Sequence, residues 1–192
     1  MSNLKNLNIF FEEGKTENFN EDKILINISR CIGITSKEPQ TIEYIKNNFN
    51  GELVSSKKTP LEVIENLKSI SIHKNIFKEL KKYLSNVDGV LIHIQKDGLI
   101  FEIFGNIDHD IIKYHKIICY NVFTNNGNFK LGINARYFKE IIKFFIEEKE
   151  DIMYLKYSEE ENYPMFFPLN KDTHIVLAGY DKTLLLEKSL II

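Results

Sequence analysis

The spacing of apolar residues predicts one arrangement of strands and helices that occurs twice along the chain. In each copy a strand leads into a helix, at residues 73–84 and then at residues 135–146, and about three strands follow. The predicted strands are residues 69–72, 90–94, 99–104, 117–123, 129–133, 152–157, 165–167 and 174–177. A β-α-β-β-β unit used twice is neither a parallel βαβ array nor an all-β sandwich.

Turn and cap residues support these boundaries. The Lys96-Asp97-Gly98 turn separates two β-rich runs and predicts a hairpin, because Asp-Gly favours tight turns. Asn134 stands where the second helix begins, and asparagine is a favoured N-cap. The fold class predicted is therefore α+β, with the helices on one face of antiparallel sheets.

The first third of the chain shows a mixed pattern. Residues 7–11 and 23–28 are strand-like, and Pro39 can open a helix that ends near Asn50-Gly51. We therefore expect three regions: a mixed α/β segment of unassigned role at residues 1–65, a two-unit domain at 66–182, and an apolar tail at 183–192.

The distribution of charge changes the picture more than the composition does. The 192 residues are 43% apolar and 27% charged, which fits a globular chain and excludes disorder or a collagen-like repeat. Basic and acidic residues number 8 and 10 in residues 1–65, 12 and 7 in 66–146, and 5 and 10 in 147–192. The net charge of −2 is thus the sum of −2, +5 and −5 for these three regions. The positive charge of residues 66–146 is the first indication of function.

Both predicted helices have an apolar face and a basic face at 100° per residue. The apolar faces consist of Ile76, Phe77, Leu80, Tyr83 and Leu84, then Phe138, Ile141, Ile142 and Phe145. The basic faces consist of Lys74, Lys78, Lys81 and Lys82, then Arg136, Lys139 and Lys143. Such stripes are either solvated surface in a lysine-rich chain or contacts to successive phosphates that do not identify bases.

Three stretches resemble the bacterial sliding clamp, the β subunit of DNA polymerase III. Residues 131–142 resemble the start of the last clamp helix, where Asn134 and Tyr137 match an Asn-x-x-Tyr pattern. Residues 174–179 resemble the final clamp strand, and residues 71–104 resemble the helix and hairpin of a half-domain. The resemblance covers about residues 69–180, one clamp domain, whereas a bacterial protomer carries three.

This resemblance implies a non-enzymatic DNA-associated replication or processivity factor. The seven cations above would line the hole of a ring of subunits and contact double-stranded DNA through its backbone. DNA polymerase or other replication proteins would bind an apolar groove. The expected partner-binding residues are Leu177, Tyr180, Leu184, Leu185 and Leu186. Leu177-Ala178-Gly179-Tyr180 stands where the family has a Met-Pro-Met-Arg-like stretch, and the apolar tail either packs on its own core or docks onto a partner.

Two other functions stay open. The chain could be a clamp-fold interaction or regulatory module without a ring, or a hydrolase with a metal at Asp108, His109, Asp110 and His115. We expect no cofactor and no enzymatic activity, because the nucleotide-binding and zinc motifs are absent from the sequence. Cys31 and Cys119 form no CxxC, the N-terminus does not resemble a signal peptide, and the expected location is the cytoplasm.

Overall fold

The structure, a computed structural model, describes residues 24–27, 32–48, 64–96, 98–105, 113–120, 128–148, 150–160, 163–180 and 185. Three helices lie in these ranges: α1 (Pro39–Asn48), α2 (Lys74–Tyr83) and α3 (Ala135–Glu147). The strands are β1 (Ile24–Asn27), β2 (Ile32–Ser36), β3 (Lys68–His73), β4 (Gly89–Gln95), β5 (Gly98–Gly105), β6 (Lys113–Tyr120), β7 (Phe129–Asn134), β8 (Ile152–Tyr157), β9 (Met165–Pro168) and β10 (Thr173–Leu177).

The strands form two antiparallel sheets, and each repeated unit contributes its first strand to the sheet of the other unit. A four-stranded sheet has the order β6-β5-β4-β7, and a six-stranded sheet has the order β1-β2-β10-β9-β8-β3. The first strand of each unit therefore pairs with a strand of the other unit. β3 pairs with β8 of the second unit, and β7 pairs with β4 of the first.

Equivalent backbone hydrogen bonds confirm the internal repeat. The first residue of α2, Lys74, donates its N–H to the carbonyl of Asp151, 2.7 Å away, just before β8. The first residue of α3, Ala135, donates to the carbonyl of Asp88 at 3.1 Å, just before β4. Each helix start is thus tied to the loop that enters the other unit's sheet, which satisfies an N–H that no intrahelical carbonyl can reach.

The core lies between the helices and the sheets. α2 contacts β3 and β6, while α3 contacts β4 and β7. Phe77 and Leu80 of α2 are fully buried, and Phe138 of α3 lies 6.4 Å, centroid to centroid, from Phe167 of β9. Burying one such side chain contributes about 1.5–3 kcal/mol, so this layer stabilises the pairing of the two units.

The fold agrees with the predicted class, and both predicted helices and the hairpin are confirmed. The hairpin brings Gln95 opposite Gly98. Asn134 caps α3, because its Oδ1 accepts from the N–H groups of Arg136 and Tyr137 at 3.1 and 3.4 Å. His73 caps α2 in the same way, with Nδ1 accepting from the N–H of Asn75 at 3.1 Å.

Two strands differ from the sequence prediction. β2 was not predicted, because all five of its residues are buried and period-two alternation is missing. β2 pairs with β10, for example Ser36 with Thr173, so the six-stranded sheet crosses the predicted boundary at residue 65. β6 begins at Lys113, whereas the predicted strand begins at residue 117. The additional residues are mostly polar, and a strand at the edge of the four-stranded sheet can contain them.

Several predicted features lie outside the described residues. They are strand 7–11, the end of the first helix at Asn50-Gly51, Cys31, the acidic and imidazole groups of residues 108–110, and tail residues Leu184 and Leu186. Within the part of the chain that the structure describes, every helix is too short or too polar to cross a bilayer. The cytoplasmic location stays a prediction.

Candidate nucleic-acid interface

The two basic helices of the predicted DNA-binding set, α2 and α3, pack against each other. Their apolar positions recur every three or four residues, so the buried faces are directed to the sheets and the basic faces away from them. α3 buries six side chains, including Phe138, Ile141 and Phe145. Lys139 also links the helices, since its ammonium donates to Ser85 Oγ beyond the end of α2 at 3.2 Å.

The seven predicted cations all lie on these two helices, and they differ in exposure. Lys78, Lys81, Lys82 and Arg136 are exposed, while Lys74, Lys139 and Lys143 are half-buried. The same helices carry three acidic residues, Glu79, Glu140 and Glu147, so seven positive and three negative groups leave a net charge of +4. The net charge of the two helices is therefore positive, as binding to negatively charged phosphate groups requires.

Some of these cations already have partners within the chain. Lys82 pairs with Glu79 at 2.5 Å, and Lys143 pairs with Glu140 at 2.7 Å, both one helical turn apart. The Lys82 ammonium lowers the pKa of the Glu79 carboxyl, and Glu79 in turn raises the pKa of Lys82. Exposed pairs of this kind are worth little, so they leave the ammonium groups available to a stronger anion.

The remaining cations have contacts of other kinds. The Lys74 ammonium donates to the carbonyl of Glu148, which fastens α2 to the end of α3. The Arg136 guanidinium lies 5.8 Å from the centre of the Tyr137 ring. No ion pair involves Lys78 or Lys81 within the ranges that the structure describes.

The repeat places two pairs of lysines at equivalent positions. Because Lys74 and Ala135 make equivalent hydrogen bonds, the helices align residue by residue from those positions. Phe77-Lys78-Glu79 of α2 then matches Phe138-Lys139-Glu140 of α3, and Lys82 matches Lys143. Even the ion pairs are equivalent, since each joins the glutamate to the lysine three residues later.

The other three predicted cations have no such counterpart. Lys74 corresponds to Ala135, Arg136 to Asn75, and exposed Lys81 to the buried Ile142. Helical spacing at 100° per residue groups all seven cations and does not by itself show this distinction. The signal that could have separated them is the Phe-Lys-Glu sequence, which occurs once in each helix.

The predicted partner-binding residues occupy different environments. Leu177 is fully buried in the main core, and Leu185 is fully buried against Leu91 and Phe104 on the four-stranded sheet. Neither side chain is exposed for a partner in this conformation, so Leu185 follows the expectation that the tail packs on its own core. Tyr180 is half-buried beside Leu185, and its N–H donates to the carbonyl of Gly132 at 3.0 Å.

Of the remaining candidate residues, His115 and Cys119 lie in the part of the chain that the structure describes. His115 lies exposed on the edge strand β6. Across the described ranges, no three histidine, cysteine, aspartate or glutamate side chains are grouped as a metal site would need. Cys119 is buried, and burial raises the pKa of its thiol.

The fold is that of bacterial DNA sliding clamps. The structure matches a Helicobacter pylori beta clamp bound to a DNA ligase peptide with a TM-score of 0.56 and 14% identity, over 92% of this chain and 62% of that one. It matches a DNA polymerase sliding clamp from Caulobacter crescentus with a TM-score of 0.55 and 9% identity, over 92% and 64% of the two chains.

A DNA polymerase sliding clamp from Pseudomonas aeruginosa also matches, with a TM-score of 0.55 and 11% identity over 93% of this chain and 64% of that one. The chain therefore spans less than two thirds of the length of these clamps. No family model matches the sequence, and no curated protein matches it. At these identities the likeness concerns the fold.

Proposed function

We propose that the protein is a non-enzymatic, clamp-like DNA-associated factor that supports processive replication. The observation that carries this proposal is the set of repeat-equivalent lysines: Lys78 and Lys82 on α2, and Lys139 and Lys143 on α3. The two helices related by the internal repeat share two basic positions each, together with the associated ion pairs. A merely solvated surface does not require that correspondence.

The mechanism would be electrostatic. Lysine ammonium groups one turn apart neutralise successive phosphates and release counterions, which gives affinity without reading bases. Because every register along the duplex then has a similar energy, the protein can slide. The +4 charge of α2 and α3 supports such contacts, while the acidic last part of the chain carries the opposite sign.

We further propose that several copies assemble into a ring. The chain covers 62–64% of the length of the matched clamps. Of the described strands, β1, β3, β6 and β7 lie at sheet edges, and an exposed edge can pair with another chain. Sedimentation equilibrium tests this assembly, and a strict monomer at all protein concentrations would contradict it.

A replication protein would bind near Tyr180 and the tail. This proposal is supported by the partly exposed Tyr180 and by the Helicobacter pylori clamp that holds a DNA ligase peptide. Leu177 and Leu185 would support the surface from within, since both are buried. Replacing Tyr180 with Ala should weaken capture of a polymerase or ligase peptide without changing DNA affinity.

The decisive experiment removes the four equivalent lysines. We expect a variant with Lys78, Lys82, Lys139 and Lys143 all changed to Gln to lose DNA binding in fluorescence anisotropy at low salt. Glutamine keeps helix propensity and avoids new repulsion with Glu79 and Glu140. The logarithm of the binding constant falls as the logarithm of salt concentration rises, and each lost phosphate contact makes this fall shallower by about 0.9. Loss of four contacts should therefore reduce the steepness of the slope by about 3–4.

A matched control carries four Gln substitutions at lysines outside α2 and α3, namely Lys46, Lys96, Lys130 and Lys171. It has the same net charge as the test variant. If its DNA affinity is unchanged, the loss of binding in the test variant is due to the helix face and not to total charge. If the helix variant binds DNA as well as the control, the basic stripes are solvated surface. The alternative of an interaction module without a ring would then be favoured.

A further inference from the structure

A cavity of about 820 Å³ lies at the opposite end of α3 from the Asn134 cap. It forms where the end of α3, the beginning of β8 and the beginning of β10 meet. Phe144, Phe145, Ile152, Tyr154 and Leu169 provide apolar wall. Ile152 and Tyr154 are 46% and 50% exposed, although both are large apolar side chains that folding usually buries.

The polar groups of the cavity suit an anion. Lys156 on β8 donates to the carbonyl of Ile64 at 3.2 Å, and no ion pair of the described residues involves it. Its half-buried ammonium therefore has a neutral partner and no counter-ion there. A carboxylate in the cavity would supply the missing charge in a setting that is partly shielded from water.

His174 on β10 adds a second unsatisfied group to the same wall. The residue is 4% exposed, and its Nδ1 has no hydrogen-bond partner among the described atoms. Burial, with Lys156 and Lys37 close by, lowers the pKa of His174 to about 4, so the ring is neutral at physiological pH. A buried nitrogen without a partner is costly, and a ligand oxygen could offset that cost by accepting its hydrogen.

The acidic residues of the cavity restrict the kind of anion. Glu38 is engaged within the fold, because its Oε2 accepts from Thr41 Oγ1 at 2.5 Å and Asn170 Nδ2 at 2.8 Å. Glu65 and Glu150 also line the cavity and are exposed. Glu148 lines the cavity as well, so four glutamates stand beside Lys37, which pairs with Asp172, and beside Lys156 and Lys171, for which the described residues show no ion pair. This excess of carboxylates would repel a phosphate or a polyanion more strongly than a single carboxylate.

We infer that this cavity binds a small organic monocarboxylate whose apolar body packs against Ile152 and Tyr154 while its carboxylate contacts Lys156 and His174. A volume of about 820 Å³ falls within the range of about 300–1,000 Å³ that accommodates small ligands. Phe144 and Phe145 of α3 line the site, but it uses none of the basic residues of α2 and α3. It is therefore separate from the proposed DNA interface.

The test titrates 4-phenylbutyrate into the full chain and follows backbone amide shifts by NMR. We expect saturable shifts centred on Tyr154, Lys156 and His174, with neutral 4-phenylbutyramide binding at least about tenfold more weakly, since it lacks the charge-assisted bond. Inorganic phosphate alone should produce no saturable shifts at these residues. Equal binding of the amide, or saturable phosphate binding, would overturn the inference.

Substitutions at Lys156 give an independent readout. Lys156→Met should weaken phenylbutyrate binding at least about tenfold, whereas Lys156→Arg should restore it, because arginine keeps the charge and can hold a carboxylate with two bonds. The control is Lys68→Met on neighbouring β3, which removes a lysine that pairs with Glu159 at 2.5 Å and does not line the cavity. Unchanged affinity in Lys156→Met, or an equal loss in Lys68→Met, would contradict the assignment.

Discussion

The contact between Gly89 and Leu185 allows a direct test of how the chain's C-terminal region docks. Gly89 is the first residue of β4, and a Cβ built on it would lie 2.7 Å from Leu185 Cδ2 and 3.3 Å from Cδ1. Leu185 is fully buried against Leu91 and Phe104, so its side chain has little room to withdraw. The absence of a side chain at residue 89 is therefore what admits Leu185.

The magnitudes follow from this geometry. Leu185→Ala removes a fully buried side chain and should cost about 2–5 kcal/mol of unfolding free energy. Gly89→Ala forces a methyl group against Leu185 and should cost about 1–3 kcal/mol. When Leu185 has been replaced by alanine, the obstructing methyl groups are gone, and Gly89→Ala should cost close to nothing. The coupling free energy of the pair is then about 1–3 kcal/mol.

Urea denaturation followed by circular dichroism measures all four members of this cycle. A constant slope of unfolding free energy against urea would show that the unfolded state is comparable among them. Leu177→Ala is the matched control background, because it shortens a leucine that is buried in the main core instead, and Gly89→Ala should keep its full cost there. If Gly89→Ala costs as much in the Leu185→Ala background as in the unsubstituted chain, the described docking of Leu185 is wrong.

Two further predictions concern the helix cap and the buried histidine. Asn134→Ala should cost about 0.5–2 kcal/mol in urea unfolding, because two N–H groups of α3 lose their acceptor, and Asn134→Ser should recover most of that loss. The pKa of His174 is lowered from 6.5 to about 4, so the folded state takes up its proton less readily than the unfolded chain. Stability from this group is full above pH 6.5 and declines by roughly 3 kcal/mol as pH falls to 4. His174→Gln should remove that decline in unfolding measured across this pH range.

Local patterns in the sequence were sufficient for both basic helices and the β4–β5 hairpin. Apolar residues three or four apart identify the faces of α2 and α3 that become buried, and the Asp-Gly turn identifies the hairpin. These features depend on residues close together in the chain, which is why a single sequence contains them. The clamp resemblance, which rested on short motifs, is confirmed at the level of the fold.

The missed features depend on partners that are distant in sequence. β2 lies between the nearby β1 and the distant β10, and its pairing with β10 places Ile32 opposite Leu177 and Ser36 opposite Thr173. Burial on both sides removed the alternation that marks a half-buried strand. The residues next to Leu185 in sequence likewise do not predict its burial, because the side chains that pack against it, Leu91 and Phe104, come from the middle of the chain.

The exchange of first strands between the two units also shapes how the protein folds. β3 is completed only by β8, with Lys68 opposite Tyr157 at one end and His73 opposite Ile152 at the other. A growing chain must therefore hold β3 unpaired until most of the second unit has been made, and closing so long a loop is slow. Neither unit has a complete sheet without the other, so the two basic helices should gain their relative positions in one cooperative step rather than one after the other.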